Sequence, residues 1–366
     1  MPVYGSNHAS VMEMMPGVRN FIEAAGIGEG EKILFLADTR SDGPSIEACV
    51  AGLKAIGAKP VVMLFDHLER YGRVPEEAVG AAAHTDAIVL TWPVFITAGL
   101  NTVRKARTPT SDFDPSTRVE GQPKLVYLEC APGILGSSYA RLPNELLWAI
   151  ASRVMDIAHR GEKIRVTCPR GTDLTSTYDP EKLFAMQTRP VEPGGRCHFP
   201  WGRCGIFHGE GEANGVVYVD TCQGFGGAFE EPMRWQIEEN IVVDVQGGEM
   251  AEHMLSLGRR YREPIKFNEI MFGYHPHVPQ QIGTDDYMHW PFNSKWAWFG
   301  IGVGGGLGTT HGAHLDGPCF WSSVYIDDEL VVDRGRLLLC DDPEIRDLAA
   351  RYGDPDELLS HATHAQ

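Results

Sequence analysis

The chain has 366 residues, 43% of them hydrophobic, and a formal net charge of −17. This size and apolar content predict a globular protein with a large core, divided into two domains. The acidic excess disfavours nucleic acid and anionic membranes as partners, because both bind basic surfaces. No secretory signal and no apolar run of transmembrane length is recognisable. The eight cysteines contain no CxxC pair and are typical of reduced thiols, so a cytoplasmic location is predicted.

The first 162 residues alternate between strand and helix patterns. Short apolar runs that end in polar turns predict parallel strands at 32–38, 60–65, 87–92 and 124–129. Apolar residues at helical spacing predict helices at 44–58, 75–84 and 143–161. This alternation is typical of an open, mostly parallel α/β domain, which we place at residues 1–162. No glycine-rich phosphate-binding motif follows these strands, so no nucleotide is expected.

From residue 163 onward the pattern becomes β-rich. Strand patterns joined by Gly, Asp and Asn turns begin at 163, 214, 240 and 322, and a helix is predicted at 247–262. The segment 326–337 predicts a hairpin with an acidic turn. We therefore predict a C-terminal antiparallel β-rich α+β domain at residues 163–366, and we expect it to be the metal-binding catalytic domain.

Histidines concentrate in this second domain, where eight of the 14 lie between residues 198 and 314. Imidazole binds transition metals and changes protonation near neutral pH, so the clustering favours metal binding or acid–base chemistry. The sequence THGAHLDGP (310–318) follows a glycine run and contains His314 and Asp316. Residues i and i+2 of a strand point to one face, so this pair can face one ion. A polar turn rich in histidine is the alternative.

The segment KFNEIMFGYHPH (266–277) contains three further candidates. Glu269 is a carboxylate within an apolar run, where a purely structural strand rarely has one, and we predict it as the third metal ligand. His275 and His277, which flank a proline, are the alternatives to Glu269 as the ligand, and solvated or substrate-facing roles are also open to them. We predict both as catalytic acid–base residues.

The glycine-dense segment 194–215 is predicted to be either a surface loop or the rim of a pocket. In the second case His198 would exchange protons and Arg203 would contact an anionic substrate. Trp201 in this segment and Trp298, from an aromatic-rich run near 287–299, are candidates for binding an aromatic ring. Packing in the core is the alternative for most of these aromatic residues.

The order of these features resembles the leucyl aminopeptidase family that includes aminopeptidases T and S. The segments that carry the resemblance are HFPWG (198–202), residues 232–254, AHLDGP (313–318) and VYIDDELVV (324–332). Within that family the chain looks most similar to the 2,5-dihydroxypyridine 5,6-dioxygenases of nicotinate breakdown. The resemblance covers most of the chain, and its specificity comes from the order of the motifs rather than from any single one.

The resemblance implies a ligand set, residue by residue. His314 and Asp316 match ligands common to both branches, and His198 matches the histidine of a dioxygenase HWP motif. Glu269 falls where the aminopeptidases have a glutamate ligand and the dioxygenases have a histidine. Arg203 falls near a glutamate of the two-metal aminopeptidases, and a guanidinium there disfavours a second cation. One divalent ion is therefore expected: Fe(II), with Mn(II) or Zn(II) as alternatives.

One departure concerns proton transfer. The dioxygenases carry an acid–base histidine at the end of the third strand, where this chain has approximately Ile96. The role therefore passes to His198, His275 or His277 in our prediction.

Two enzyme functions follow from these observations. The first is a mononuclear Fe(II) dioxygenase that opens a small hydroxylated nitrogen heteroaromatic ring such as a dihydroxypyridine. The second is a single-metal hydrolase, amidohydrolase-like or aminopeptidase-like, in which the ion activates water to cleave a small amide or cyclic amide. A binding protein that kept the fold is a third interpretation. In each case the predicted partner is a small molecule, without nucleic acid or membrane, and a homo-oligomer is expected.

Overall fold

A computed structural model describes residues 4–66, 75–91, 121–129, 133–183, 187–200, 202–207, 213–222, 229–277, 296–303 and 313–360. The chain forms two compact units. The first comprises Met1–Trp148 and Gln187–Trp201, and the second comprises Ala149–Met186 and Gly202–Gln366. This division differs from a single boundary near residue 162, because a later segment returns to the first unit.

The first unit contains a parallel sheet of five strands in its described residues, in the order β2-β1-β3-β4-β7. Every neighbouring pair in this sheet is parallel. The strands are β1 (Lys32–Asp38), β2 (Lys59–Phe65), β3 (Ala87–Thr91), β4 (Lys124–Leu128) and β7 (Arg196–Phe199). The helices are α1 (Tyr4–Ala24), α2 (Gly43–Ala55), α3 (Glu76–Ala82) and α4 (Ser138–Arg141). The predicted parallel α/β domain is confirmed.

Helices cover both faces of this sheet, as its continuous apolar strands require. Alternate residues of β1, Ile33 and Phe35, pack with residues of α1 and α2. The intervening residues Leu34 and Leu36 pack with α3 on the other face. The sequence patterns did not predict the 21-residue helix α1.

Strand β7 corrects one interpretation of the sequence. The segment 194–215 was predicted as a loop, but residues Arg196–Phe199 form β7 beside β4, and Arg203–Phe207 form β8 beside β12. Two consecutive short strands therefore belong to different sheets, and the chain passes from the first unit to the second between them.

The second unit contains a large antiparallel sheet, in the order β14-β13-β12-β11-β10-β9-β6-β5-β15-β16-β17, with β8 paired to β12. The strands of this sheet are β5 (Lys163–Thr167), β6 (Asp173–Thr177), β8 (Arg203–Phe207), β9 (Asn214–Val219), β10 (Met233–Glu238), β11 (Ile241–Gln246), β12 (Lys266–Gly273), β13 (Ala297–Val303), β14 (Ala313–Cys319), β15 (Ser323–Ile326), β16 (Glu329–Asp333) and β17 (Arg336–Leu337). The remaining helices are α5 (Asn144–Arg160), α6 (Gly248–Tyr261), α7 (Pro343–Ala349) and α8 (Pro355–Leu358). The predicted antiparallel β-rich domain, including the β15–β16 hairpin, is confirmed.

None of the helices in the described ranges combines the length and apolar composition needed to cross a bilayer.

A glycine in β9 gives a direct test of the large sheet. Gly215 has φ +140°, and a Cβ there would lie 2.9 Å from the Leu174 Cα of β6 and inside the van der Waals radius of the Asp173 carbonyl oxygen. We expect Gly215→Ala to lower the free energy of unfolding by about 2 kcal/mol or more, because backbone strain and collision add. Gly248→Ala is the matched control, since Gly248 has φ +53° and open space around it.

Urea unfolding of both variants separates the two contributions. The control should lose about 1 kcal/mol, the usual penalty of a left-handed alanine. Equal losses in the two variants would contradict the close β6–β9 approach at Gly215.

Candidate metal centre

The candidate centre lies on three adjacent strands of the large sheet. In β12, Glu269 pairs with Gly300 of β13, and Gly300 pairs in turn with Asp316 of β14. Directly opposed residues of antiparallel strands share a face of the sheet. The two carboxylates therefore stand on one face on either side of a residue without a side chain. Two strand spacings put their Cα atoms about 10 Å apart, a span that their side chains can reduce above the glycine.

A β-bulge decides which face Glu269 occupies. Phe267 pairs with Ile301 and Glu269 with Gly300, so Asn268 is an extra residue in β12. Without the bulge, Phe267 and Glu269 would share a face, because they are two residues apart. With it, Phe267 lies on the apolar face, its ring centroid 6.0 Å from that of Phe299, and Glu269 lies on the face of Asp316. Bulges of this kind re-aim side chains at functional sites.

Both carboxylates are buried, with Glu269 3% exposed and Asp316 2% exposed. Burial removes the hydration of a carboxylate, and two carboxylates in one row repel each other when both are ionised. A divalent cation between Glu269 and Asp316 would reduce this repulsion, and carboxylate oxygens are suitable ligands for Fe(II) and Mn(II). The donor chemistry of the row therefore fits a divalent metal.

Only the backbone of the predicted histidine ligand, His314, is described. His314 pairs with Gly302 in β14, two positions before Asp316. Its side chain lies outside the described part of the structure. Among the described residues, no three His, Cys, Asp or Glu side chains are grouped to hold a metal ion. The structure thus brings two of the three predicted ligands, Glu269 and Asp316, to one row across the sheet with Gly300 between them, and we call it the carboxylate row. The complete set of three ligands stays a prediction.

His275 follows the end of β12 and is 1% exposed. Its Nδ1 accepts a hydrogen bond of 3.0 Å from the backbone N–H of His277. The neutral imidazole therefore carries its proton on Nε2, because the acceptor nitrogen cannot be protonated. This burial corrects the interpretation of His275 as a solvated loop residue, and it leaves a side chain suited to donating a proton.

His277 makes a different contact. Its Nε2 lies 2.9 Å from the carbonyl oxygen of Leu358 in α8, which can only accept, so Nε2–H is the donor. Burial lowers the pKa of His277, and the hydrogen bond to Leu358 partly opposes that effect. His277 is therefore neutral at pH 7 and contacts the C-terminal helix α8.

The remaining predicted residues are distributed over both units. His198 lies in β7, half-buried, and its ring centroid is 4.4 Å from that of its strand neighbour Tyr127. Trp298 is 2% exposed, pairs with Met271 and Pro318, and lies two residues before Gly300 in β13, so it is on the same face. The backbone of Arg203 pairs with Gly273, while its side chain and the whole of Trp201 lie outside the described structure.

Sequence reasoning missed a polar group at the carboxyl ends of β1 and β3. Asp38 is fully buried and accepts a hydrogen bond of 2.9 Å from Arg40 Nε. Nearby, the hydroxyl groups of Ser41 and Thr91 lie 2.8 Å apart and link the two strand ends. Open parallel sheets bind ligands at this edge. The sequence ADTRSD (37–42), at the carboxyl end of the apolar strand β1, indicated this polar group.

The sequence analysis also overlooked Gly300 and Gly302 as individual positions. They face Asp316 and His314 across the β13–β14 pair. In the sequence GIGVG (300–304) these glycines are two residues apart, so they lie on the same face of a strand and leave that face without side chains. This spacing could have indicated the site.

Residues 139–274 match the model of the family of 2,5-dihydroxypyridine 5,6-dioxygenases. Over these residues the chain resembles that family. The match is less than half of the chain, and it includes Glu269 and His198 but ends before β13 and β14. No curated protein sequence matches the chain.

Two solved structures share the fold over nearly their whole length. A 2,5-dihydroxypyridine dioxygenase from Pseudomonas putida KT2440 is 17% identical, with a TM-score of 0.66 over 93% of this chain and 99% of that chain. The wild-type AmpT, an aminopeptidase T from Thermus thermophilus, is 12% identical, with a TM-score of 0.56 over 89% of this chain and 99% of that chain.

These matches confirm the resemblance that the sequence motifs indicated, with the dioxygenase branch ahead of the aminopeptidase branch. The two structures confirm the predicted fold class, and the family match at residues 139–274 indicates that the chain is an enzyme.

Proposed function

We propose that this protein is a mononuclear Fe(II)-dependent dioxygenase that opens the ring of a small hydroxylated nitrogen heteroaromatic compound such as a dihydroxypyridine. The observation that carries the proposal is the dioxygenase family match at residues 139–274, which contains Glu269 of the carboxylate row. The shared fold with a dihydroxypyridine dioxygenase supports it. Mn(II) and Zn(II) are the alternative ions.

In this proposal Glu269, His314 and Asp316 hold the ion. When bound, the ion supplies open coordination positions for oxygen and for a chelating substrate. Gly300 keeps the space between the two carboxylates clear of side chains, since it pairs with both. The two carboxylates balance the charge of a divalent ion, so the site is more anionic than a site with two histidines and one carboxylate.

The surroundings of His275 and Trp298 suggest a role for each in this proposal. His275 is the proposed proton donor, because its buried ring carries hydrogen on Nε2. Trp298 is the proposed apolar wall for an aromatic ring, on the same face as the carboxylates. His198 and His277 are the alternative acid–base residues. Arg203 and Trp201 keep their predicted roles in substrate binding.

A single-metal hydrolase is the second candidate function. The Glu269, His314 and Asp316 set contains the donor types of zinc hydrolase sites, and the aminopeptidase T fold is shared over 89% of the chain. In that case the ion would lower the pKa of a water molecule and polarise an amide carbonyl. A small amide or cyclic amide would be the substrate.

The two functions separate in one experiment. Protein purified without oxygen is analysed for metals, loaded with Fe(II), and mixed with a panel of hydroxypyridines in an oxygen-electrode cell. We expect iron at about one ion per chain and oxygen uptake with a ring-hydroxylated pyridine. Zinc or manganese together with hydrolysis of small amides and no oxygen uptake would support the hydrolase instead.

A further inference from the structure

The second unit contains a pair of cysteines that the metal centre does not use. Cys168 follows β5 and is half-buried, and Cys319 ends β14 and is fully buried. The two thiols share a hydrogen bond. Because they are 151 positions apart in the chain (319 − 168), their proximity is a feature of the fold.

Thr172 holds both cysteines in place. Its carbonyl oxygen accepts a hydrogen bond of 3.1 Å from the backbone N–H of Cys168, and its Oγ1 lies 3.3 Å from Cys319 Sγ. The same Oγ1 accepts a hydrogen bond of 2.8 Å from the Tyr218 backbone N–H. One threonine therefore contacts both cysteines, Cys168 through its carbonyl oxygen and Cys319 through its hydroxyl group.

Asp220 fixes the other side of the pair. Its carboxylate accepts a hydrogen bond of 2.6 Å from the backbone N–H of Phe320 and lies 2.6 Å from Arg170 Nη1. Its backbone N–H donates to the Pro318 carbonyl oxygen at 3.0 Å. The residues on both sides of Cys319 are thus fixed to one buried aspartate, and Arg170 brings a positive charge to the turn that carries Cys168.

We propose that Cys168 and Cys319 form a reversible, peroxide-sensitive dithiol, in which Cys168 is the reacting thiol and Cys319 the resolving thiol. The inference is independent of the proposed metal chemistry. The hydrogen bond from Cys319 lowers the pKa of Cys168 to about 5, which favours the reactive thiolate. Burial raises the pKa of Cys319 well above its usual range, which keeps that thiol protonated.

The reaction needs a peroxide as the oxidant. The Cys168 thiolate attacks one peroxide oxygen, the O–O bond breaks, and the sulfur becomes a sulfenic acid, while the other oxygen leaves as hydroxide and takes a proton from solvent to form water. Cys319 sulfur then attacks Cys168 sulfur, the S–O bond breaks, and a second water leaves with the Cys319 proton. The two sulfurs lose two electrons in total, and a thiol reductant restores them. The disulfide links the β5–β6 turn to β14, the strand that contains Asp316.

The test treats the full-length protein with hydrogen peroxide and maps its cysteines by mass spectrometry of unreduced peptides. We expect a Cys168–Cys319 disulfide that a thiol reductant removes, in wild type and in the control Cys222→Ser, whose residue is buried outside the pair. In Cys319→Ser, the sulfenic acid has no resolving thiol, so Cys168 should progress to the sulfinic acid. Absence of the disulfide, or pairing of Cys168 with a different cysteine, would overturn the proposal.

A second measurement does not depend on any variant folding. The rate of alkylation of Cys168 by iodoacetamide should change less than about twofold between pH 6 and pH 8, whereas the rate for an ordinary thiol rises by roughly 80-fold from pH 6 to pH 8. In the described part of the chain, the titratable and charged groups that face Cys168 and Cys319 are Asp220 and Arg170. A pH dependence at Cys168 equal to that of an ordinary thiol contradicts its assignment as the reacting residue.

Discussion

Replacing Asp316 with asparagine is expected to remove bound metal and activity together. Asparagine keeps the size and one oxygen donor of the side chain but removes its negative charge. A ligand substitution should weaken metal binding by more than the roughly 10- to 100-fold that is typical when an outer-shell group is lost. Glu269→Gln should behave in the same way, because the two carboxylates lie on one row.

The measurement is metal content after purification and dialysis, compared with circular dichroism to verify folding. Asp328→Asn is the matched control, because Asp328 is exposed in the β15–β16 turn of the same unit. It should retain wild-type metal content. If Asp316→Asn and Glu269→Gln both kept their metal, the proposed ligand set would be wrong.

Replacing Gly300 with valine is the second change with a large expected effect. Valine suits a β-strand, so the fold should tolerate the substitution better than most others at this position. Its branched side chain would occupy the row between Glu269 and Asp316. We expect metal affinity to fall at least about tenfold and oxygen uptake to be lost, because the ion and the new methyl groups compete for one space.

Ile301→Val is the control for this experiment. Ile301 is the next residue of β13 and pairs with Phe267 and Leu315, so it lies on the opposite, apolar face. Removing one methylene should cost about 1 kcal/mol of stability without affecting metal binding. Metal binding that survived Gly300→Val but not Ile301→Val would contradict the assignment of faces.

Much of the fold could be predicted because its elements have distinct periodicities. The apolar runs of β1, β3 and β4 and the helical spacing in α2 identified the parallel domain, and the β15–β16 hairpin followed from its acidic turn. Strands β7 and β8 were missed because each is short and lies between glycines, which are typical of loops. Their sheet assignments depend on long-range pairing that periodicity does not contain.

The candidate site could likewise be predicted only in part from the sequence. His314 and Asp316 could be proposed because their spacing of two within one strand is a local property. The relation of Asp316 to Glu269 is not local, because it depends on the register of three strands and on the extra residue Asn268. A single shift in that register would have placed Glu269 on the apolar face.

The most direct test of the proposed dioxygenase function determines the source of the oxygen atoms in the product. Fe(II)-loaded protein is mixed with 2,5-dihydroxypyridine under isotopically labelled oxygen gas in ordinary water, and the product is analysed by mass spectrometry. The proposed dioxygenase function predicts a ring-opened product that carries both atoms of one oxygen molecule. A product whose new oxygen comes only from water, or no product at all, would contradict it.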